Sequence, residues 1–435
     1  NEIIMDAVNK GASDIHFDPS QDSLKIRFRI DGILSDYSII PSKYKRNMIS
    51  RIKMIAGMNI METRLPQDGA IKSKIGERFL DLRVSSLPTN NAEKIVIRIL
   101  DYSMSLAGLD NLGFSEDAME KINRLIKIPN GIILVTGATG TGKSTTLYSI
   151  LQKLNTEEVN IITVEDPVEM DIEGINQVQT QSEIGLTFAT ILRSILRQDP
   201  NIIMIGEIRD DETARIAVRA SITGHLVLSS LHTNNSLNTI ERLTDMDVER
   251  YLLGSSLEGI ISQRLARKVC PECSIKRPTT DYERQVFKTV LGKDVLEMVV
   301  ADKEGCPKCT HGYKGRLAIL EVLVMNEKIK DAITNGANKN TLRELVYTGD
   351  VVTLLQDGLN KVVLGETTFE EILKIVDLEN DMTQYNDDNL KTNLKMAQQA
   401  HKADNKTNDK PITSNISSEF KIEKTNNENI ETVEF

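Results

Sequence analysis

Eight residues, Gly137-Ala138-Thr139-Gly140-Thr141-Gly142-Lys143-Ser144, fit the spacing G-x-x-x-x-G-K-[ST]. Glycines there let backbone N–H groups turn inward onto a phosphate, and a helix starting at the same place aims its N-terminus at the anion. Lys143 would reach the outer phosphates of a nucleoside triphosphate, and Ser144 would hold Mg²⁺. Thr145 is the last nucleotide-binding position of the loop. A Gly/Thr-rich loop without a ligand is the bland alternative. The apolar run Ile132–Thr136 before it and the helix-forming stretch Ser144–Leu154 after it argue for the ligand.

Two further apolar runs end in acids, Ile161-Ile162-Thr163-Val164-Glu165 and Ile202-Ile203-Met204-Ile205-Gly206-Glu207. Open α/β sheets bind ligands at the carboxyl ends of their strands, so both acids are placed for chemistry. Triphosphate hydrolysis needs one carboxylate to orient the metal or its waters and another to polarise the attacking water. Glu207 is assigned to the metal and Glu165 to the water, with the exchanged assignment as the alternative. His232 follows a third run, Leu226–Leu231, and would lie beside the terminal phosphate, whereas His225, at the start of that run, reads equally well as a structural histidine.

All four cysteines fall in two C-x₂-C pairs, Cys270/Cys273 and Cys306/Cys309. Two such turns supply a tetrahedral Cys₄ set for Zn²⁺, structural because four sulfurs leave no open position. The 32 residues between the pairs exceed the ribbon spacing of about 15 to 20, so a helix is expected between them. A redox dithiol is the alternative, set aside because neither pair reads as following a thioredoxin-type strand.

These groups must be held by an α/β fold. Four nearly continuous apolar runs, at 132–136, 160–165, 202–206 and 225–230, have the look of parallel strands covered on both faces by helices. Before them, Leu24-Lys25-Ile26-Arg27-Phe28-Arg29-Ile30 alternates and turns at Asp31-Gly32, the mark of a hairpin. A helix is expected over 47–61, strands at 79–85 and 95–100, and an amphipathic helix over 115–127 capped by Ser115. The division expected is a small lobe at 1–105, a connector at 106–128, an ATPase core at 129–268, a tetracysteine insertion at 269–315, a helical part at 316–380 and a tail at 381–435. The tail's few apolar residues cannot offset its ordering entropy, so disorder is expected there.

Composition narrows the partners. The chain has 435 residues, a formal charge of −10 and 40% hydrophobic residues without Trp, which fits a large helix-rich globular protein. That charge disfavours nucleic acid as a partner. No run reaches the ~18 apolar residues of a bilayer span, and no export signal is legible at Asn1, so a cytoplasmic location is expected. The first residue is Asn rather than Met, which suggests a segment upstream.

Taken together, the segments resemble the type II secretion and type IV pilus assembly ATPases. The resemblance spans most of residues 10–378. It includes Ser13-Asp14-Ile15-His16, Arg64-Leu65-Pro66-Gln67-Asp68-Gly69, the phosphate loop and Glu165-Asp166-Pro167-Val168-Glu169. It continues through Arg197-Gln198-Asp199-Pro200, Gly206-Glu207-Ile208-Arg209-Asp210, Thr223-Gly224-His225 and Leu231-His232-Thr233-Asn234. It implies a small N-terminal lobe hinged to a RecA-like core, a homohexamer, and ATP hydrolysis that drives a platform protein of the inner membrane. The ring would attach to the inner face of that membrane through a docking partner. Arginines of the small lobe would reach the phosphates across the cleft, and the matching positions are Arg83 and Arg98. Asn91-Ala92-Glu93-Lys94 replaces the family's Gly-Glu before the strand carrying Arg98, so that turn must form without glycine. The tetracysteine insertion points to assembly rather than retraction. Pilus assembly is therefore the first expectation and type II secretion the second, ahead of a DNA-translocating RecA-like motor and of a ring that binds ATP without hydrolysing it.

Overall fold

The computed structural model describes residues 2–75, 78–100 and 108–376. The tail at 381–435 and the first residues of the expected connector lie outside them. The chain starts with α1 (Glu2–Asn9), β1 (Ala12–Pro19), β2 (Ser23–Ile30), β3 (Ile33–Pro41), α2 (Ser42–Ile55), β4 (Gln67–Ile75), β5 (Arg78–Pro88) and β6 (Glu93–Leu100). The strands form one antiparallel sheet in the order β3-β2-β1-β6-β5-β4. Alternation sorts its faces. One buries Ile15, Phe17, Ile26, Phe28, Leu82 and Ile97 with Ile49 and Ile52 of α2. The other carries Asp14, His16, Arg29, Arg83 and Arg98 and walls a cleft.

The expected hairpin turn is present, with Asp31 at φ 49° and Gly32 at φ 84°, the double left-handed pattern of a two-residue type I′ loop. The glycine-free turn before β6 closes as well. The Thr89 N–H and Oγ1–H both donate to the Ala92 carbonyl, at 2.9 and 2.5 Å. Arg83 and Arg98 remain paired in register across β5 and β6. The helix expected over 47–61 instead runs from Ser42 to Ile55, because Pro41 precedes its start and Gly57, at φ 72°, reverses the chain after its end.

The second part comprises α3 (Glu116–Leu125), β7 (Gly131–Thr136), α4 (Lys143–Leu154), β8 (Ile161–Glu165), β9 (Asn176–Gln179), α5 (Phe188–Ile195) and β10 (Ile202–Ile205). It continues with α6 (Asp211–Ile222), β11 (Leu226–Leu231), α7 (Ser236–Asp245), α8 (Arg250–Ser256) and β12 (Leu257–Val269). The chain then forms β13 (Ile275–Pro278), α9 (Asp281–Leu291), β14 (Glu297–Val300) and β15 (Tyr313–Val324), and closes with α10 (Glu327–Thr334), α11 (Lys339–Tyr347), α12 (Leu354–Val363) and α13 (Phe369–Ile375). Seven strands make the main sheet, ordered β15-β12-β7-β11-β10-β8-β9, parallel except for the antiparallel edge strand β15.

Both faces of that sheet are buried, as its continuous apolar runs require. On β7, Ile132 and Leu134 pack among α5, α6 and α7, while Ile133 and Val135 pack against α3 and α4. Helices were expected to dominate from Arg316, yet Tyr313–Val324 is a strand. Leu317-Ala318-Ile319-Leu320 is an apolar run that local pattern cannot assign, and pairing with β12 decides it. A third apolar cluster joins α9, α12 and α13 to the far ends of β12 and β15 through Phe287, Leu359, Phe369 and Ile319.

Candidate nucleotide site and metal centre

The phosphate loop links the carboxyl end of β7 to the first turn of α4. Gly137 has φ 150° and Gly142 φ 88°, and a Cβ at Gly137 would fall 2.5 Å from the Gln263 carbonyl oxygen. These positions need glycine for space as well as for conformation. Ala138, Thr139, Gly140 and Ser144 are exposed, Thr141 is buried and Thr145 half-buried. No side chain caps α4, so its leading N–H groups stay directed at the loop. Lys143 Nζ donates to the carbonyls of Gly137 and Ala138 at 2.9 and 3.1 Å. Burial pushes the pKa of its ammonium below the usual lysine value, and the charge of Glu207 opposes that shift.

Glu207 follows β10. Its Oε1 accepts from Arg209 Nη2 at 2.6 Å and its Oε2 lies 3.1 Å from His232 Nε2. Burial alone would raise the Glu207 carboxyl, but Arg209 and then His232 outweigh it and hold the pKa below the usual range. Arg209 also bonds Asp166 Oδ2 at 3.1 Å. The structure therefore brings Glu207 and His232, predicted separately, into one cluster.

Glu165, at the end of β8, is only 4% exposed. It accepts from Tyr148 OH on one oxygen and, on the other, from Thr163 Oγ1 at 2.6 Å and Gln177 Nε2 at 3.0 Å. His225 sits at the opposite end of its strand, with Nδ1 2.8 Å from the Ala220 carbonyl, which fits a structural histidine.

The two arginines differ. Arg83 Nη2 crosses the cleft to Glu169 Oε2 at 2.8 Å. Arg98 stays on its own sheet, with Nε 3.2 Å from Asp14 Oδ1. Both line the same cleft as Lys143, Glu165, Glu207 and His232, a space of about 1890 Å³ between the two sheets.

The cysteine pairs converge. Their four sulfurs lie within 4.8 Å of one another, with Cys270–Cys306 at 3.8 Å and Cys273–Cys309 and Cys306–Cys309 at 3.6 Å. Zn–S bonds of about 2.3 Å in a tetrahedron put sulfurs roughly 3.8 Å apart, so the set fits Zn²⁺. Helix α9 lies between the pairs, as expected. Cys270 directly follows strand β12, but a turn and β13 rather than a helix come next, so the strand is not of thioredoxin type. The convergence of all four sulfurs argues further against a simple dithiol.

Sequence reasoning missed two residues. Gln263 on β12, 3% exposed, donates through Nε2 to the Thr141 carbonyl and accepts through Oε1 from Thr146 Oγ1, both at 2.7 Å. Tyr148 on α4 contacts Glu165. A glutamine inside the run Gly259-Ile260-Ile261-Ser262-Gln263 was the available signal, since a buried amide must have partners. Nothing local marked Tyr148.

Residues 1–374 match the family described as Type II/IV secretion system protein. The putative type II secretion system protein E of Escherichia coli (strain K12) is 46% identical, over 86% of this chain and 76% of its own length. The type II secretion system ATPase E of Vibrio cholerae is 44% identical over 86% and 74%, respectively. The type IV pilus assembly ATPase PilB of Myxococcus xanthus is 45% identical over 86% and 66%. Among solved structures, the ATPase DotB of Legionella pneumophila aligns with a TM-score of 0.62 at 21% identity, covering 85% of this chain and 94% of that one. The pilus retraction motor PilT with bound ADP aligns at 0.55 and 25%, covering 89% and 97%. Among the described residues no helix is long and apolar enough to cross a membrane. With its phosphate loop, strand-end acids and these relatives, the chain is an ATP-hydrolysing enzyme that belongs to the type II/IV secretion system protein family.

Proposed function

We propose that this protein is one subunit of a hexameric motor that hydrolyses ATP in the cleft between its two sheets and thereby drives assembly of a pilin-like fibre. The observation that carries the reading is convergence. Lys143, Glu165, Glu207 and His232 from the main sheet face Arg83 and Arg98 of the small sheet across one cleft.

The residues take complementary roles. Loop N–H groups and Lys143 bind the β- and γ-phosphates. Glu165 orients the attacking water, and Glu207, held ionised by Arg209, would help hold the metal. Mg²⁺ on Ser144 and Glu207 would neutralise charge on the phosphate oxygens. His232, bonded to Glu207, responds to the terminal phosphate. Arg83 and Arg98 supply guanidinium charge when the small lobe closes. Cys270, Cys273, Cys306 and Cys309 would hold a structural Zn²⁺, which would tie together the segment between β12 and β15. The chain would divide at the boundaries expected from its sequence, from the small lobe at 1–105 to the tail at 381–435, except that β15 carries the main sheet through Val324 before the helical part begins.

The names of the relatives weigh toward type II secretion, which moves ahead of the pilus reading that the sequence put first; PilB, at 45% identity, keeps pilus assembly as the second. Either machine would require an inner-membrane platform protein and a docking partner, with the ring on the cytoplasmic face and no nucleic acid. Steady-state phosphate release tests the enzymatic core. Lys143→Ala should lower turnover by about a thousandfold or more, the scale of losing a main phosphate contact. Wild-type turnover in that variant would refute the assignment.

A further inference from the structure

Tyr148 is 2% exposed on the inner face of α4, yet its hydroxyl is fully engaged by polar groups. It donates to Glu165 Oε2 and accepts from the Glu169 backbone N–H at 3.0 Å. A phenol carries one hydrogen. With the Glu169 N–H on a lone pair, that hydrogen is committed to the carboxylate. Burial and the neighbouring Glu165 charge push the Tyr148 pKa far above its ordinary value, so the donor persists at any working pH.

The other oxygen, Oε1, is held by Thr163 Oγ1 at 2.6 Å and Gln177 Nε2 at 3.0 Å. The donors come from helix α4 and from the paired strands β8 and β9. A glutamate side chain has three rotatable bonds, and only a grip on both oxygens fixes the direction of its lone pairs. The hydroxyl also spans two parts of the site, because the Glu169 whose N–H it accepts holds Arg83 through its carboxylate.

Building on the reading of Glu165 as the group that orients the attacking water, we propose that Tyr148 is a positioning residue, whose hydroxyl fixes the Glu165 carboxylate in its productive orientation while Thr163 fixes the opposite oxygen. Neither touches the nucleotide in this scheme. Their loss should therefore appear in the chemical step and not in binding.

The test is a comparison of kcat, KM for ATP and Tm in the full-length protein. Tyr148→Phe keeps the buried ring and removes only the hydroxyl. It should lower kcat about ten- to hundredfold, as expected for a misplaced catalytic group, with KM within about twofold and Tm nearly unchanged. Thr163→Val, nearly isosteric, should give the same signature in milder form, because Gln177 still donates to the other oxygen. A wild-type kcat in both variants would overturn the proposal, as would losses that track Tm with KM rising in step, the mark of a packing role. Glu165→Gln separates this from the underlying reading. If it retains turnover, the role given to Glu165 fails; if it is inactive while Tyr148→Phe and Thr163→Val are normal, only the positioning role fails.

Discussion

The Gln263 amide ties the phosphate loop to the helix that follows it, accepting from the Thr146 hydroxyl of α4 and donating to the Thr141 carbonyl of the loop. Replacing Gln263 by leucine would leave those two buried groups without partners, at about 1–3 kcal/mol each. The loop would then sample shapes that bind phosphate poorly. Gln263→Leu should raise KM for ATP about tenfold or more with a smaller change in kcat, the opposite split to Tyr148→Phe, and steady-state kinetics would resolve it. An unchanged KM would mean that the loop holds its shape without the amide. Lys143, Glu207, His232 and the cysteines could be found in the sequence because each sits in a short pattern whose chemistry is local. Tyr148 could not, and Gln263 was marked only as an amide inside an apolar run, because their partners come together only in the fold: Gln263 is more than a hundred residues from the loop it grips.

At the level of elements, the four parallel strands β7, β8, β10 and β11 were legible in the sequence, and β12 and the edge strand β15 were not. Strands β7, β8, β10 and β11 are buried on both faces and therefore read as apolar runs. Strand β12 carries Arg264 and Arg267 among its apolar residues, and β15 begins in the basic stretch Lys314-Gly315-Arg316, so neither has a clean period. Their antiparallel pairing also encloses the tetracysteine segment, which is anchored where the Cys270 N–H donates to the Gly312 carbonyl at 2.9 Å. A metal that joins both knuckles should therefore stabilise the whole excursion between the two strands. Cys306→Ser should lower zinc content and Tm together, since binding free energy at a structural site is folding free energy. Metal analysis paired with calorimetry checks this, and well-folded wild-type protein free of zinc would contradict it.

Across the whole molecule, hydrogen bonds among the described residues join the two sheets at two places. Arg83 meets Glu169, and Asp31 Oδ2 accepts the Gly315 N–H at 2.9 Å. Each partner of the Arg83–Glu169 pair is 30% exposed, so the pair is worth about 1 kcal/mol or less. A contact that weak can break and reform within each catalytic cycle, leaving the guanidinium available to phosphate. Arg83→Ala should lower kcat about a thousandfold, the lower range for a phosphate-directed arginine, while nucleotide affinity changes little. Light scattering of wild type and variant with nucleotide should give the mass of six chains in both. A monomer that turns over ATP at full rate would contradict the ring.

The central claim is that a triphosphate occupies the loop ending at Lys143 and is approached from the two sheets. A crystal structure with Mg²⁺ and a non-hydrolysable ATP analogue tests it most directly. The account predicts the β- and γ-phosphates within hydrogen-bond distance of Lys143 and the loop N–H groups, with Glu165 and Glu207 facing the γ-phosphate. An analogue bound elsewhere in the cleft, with the loop untouched, would contradict it.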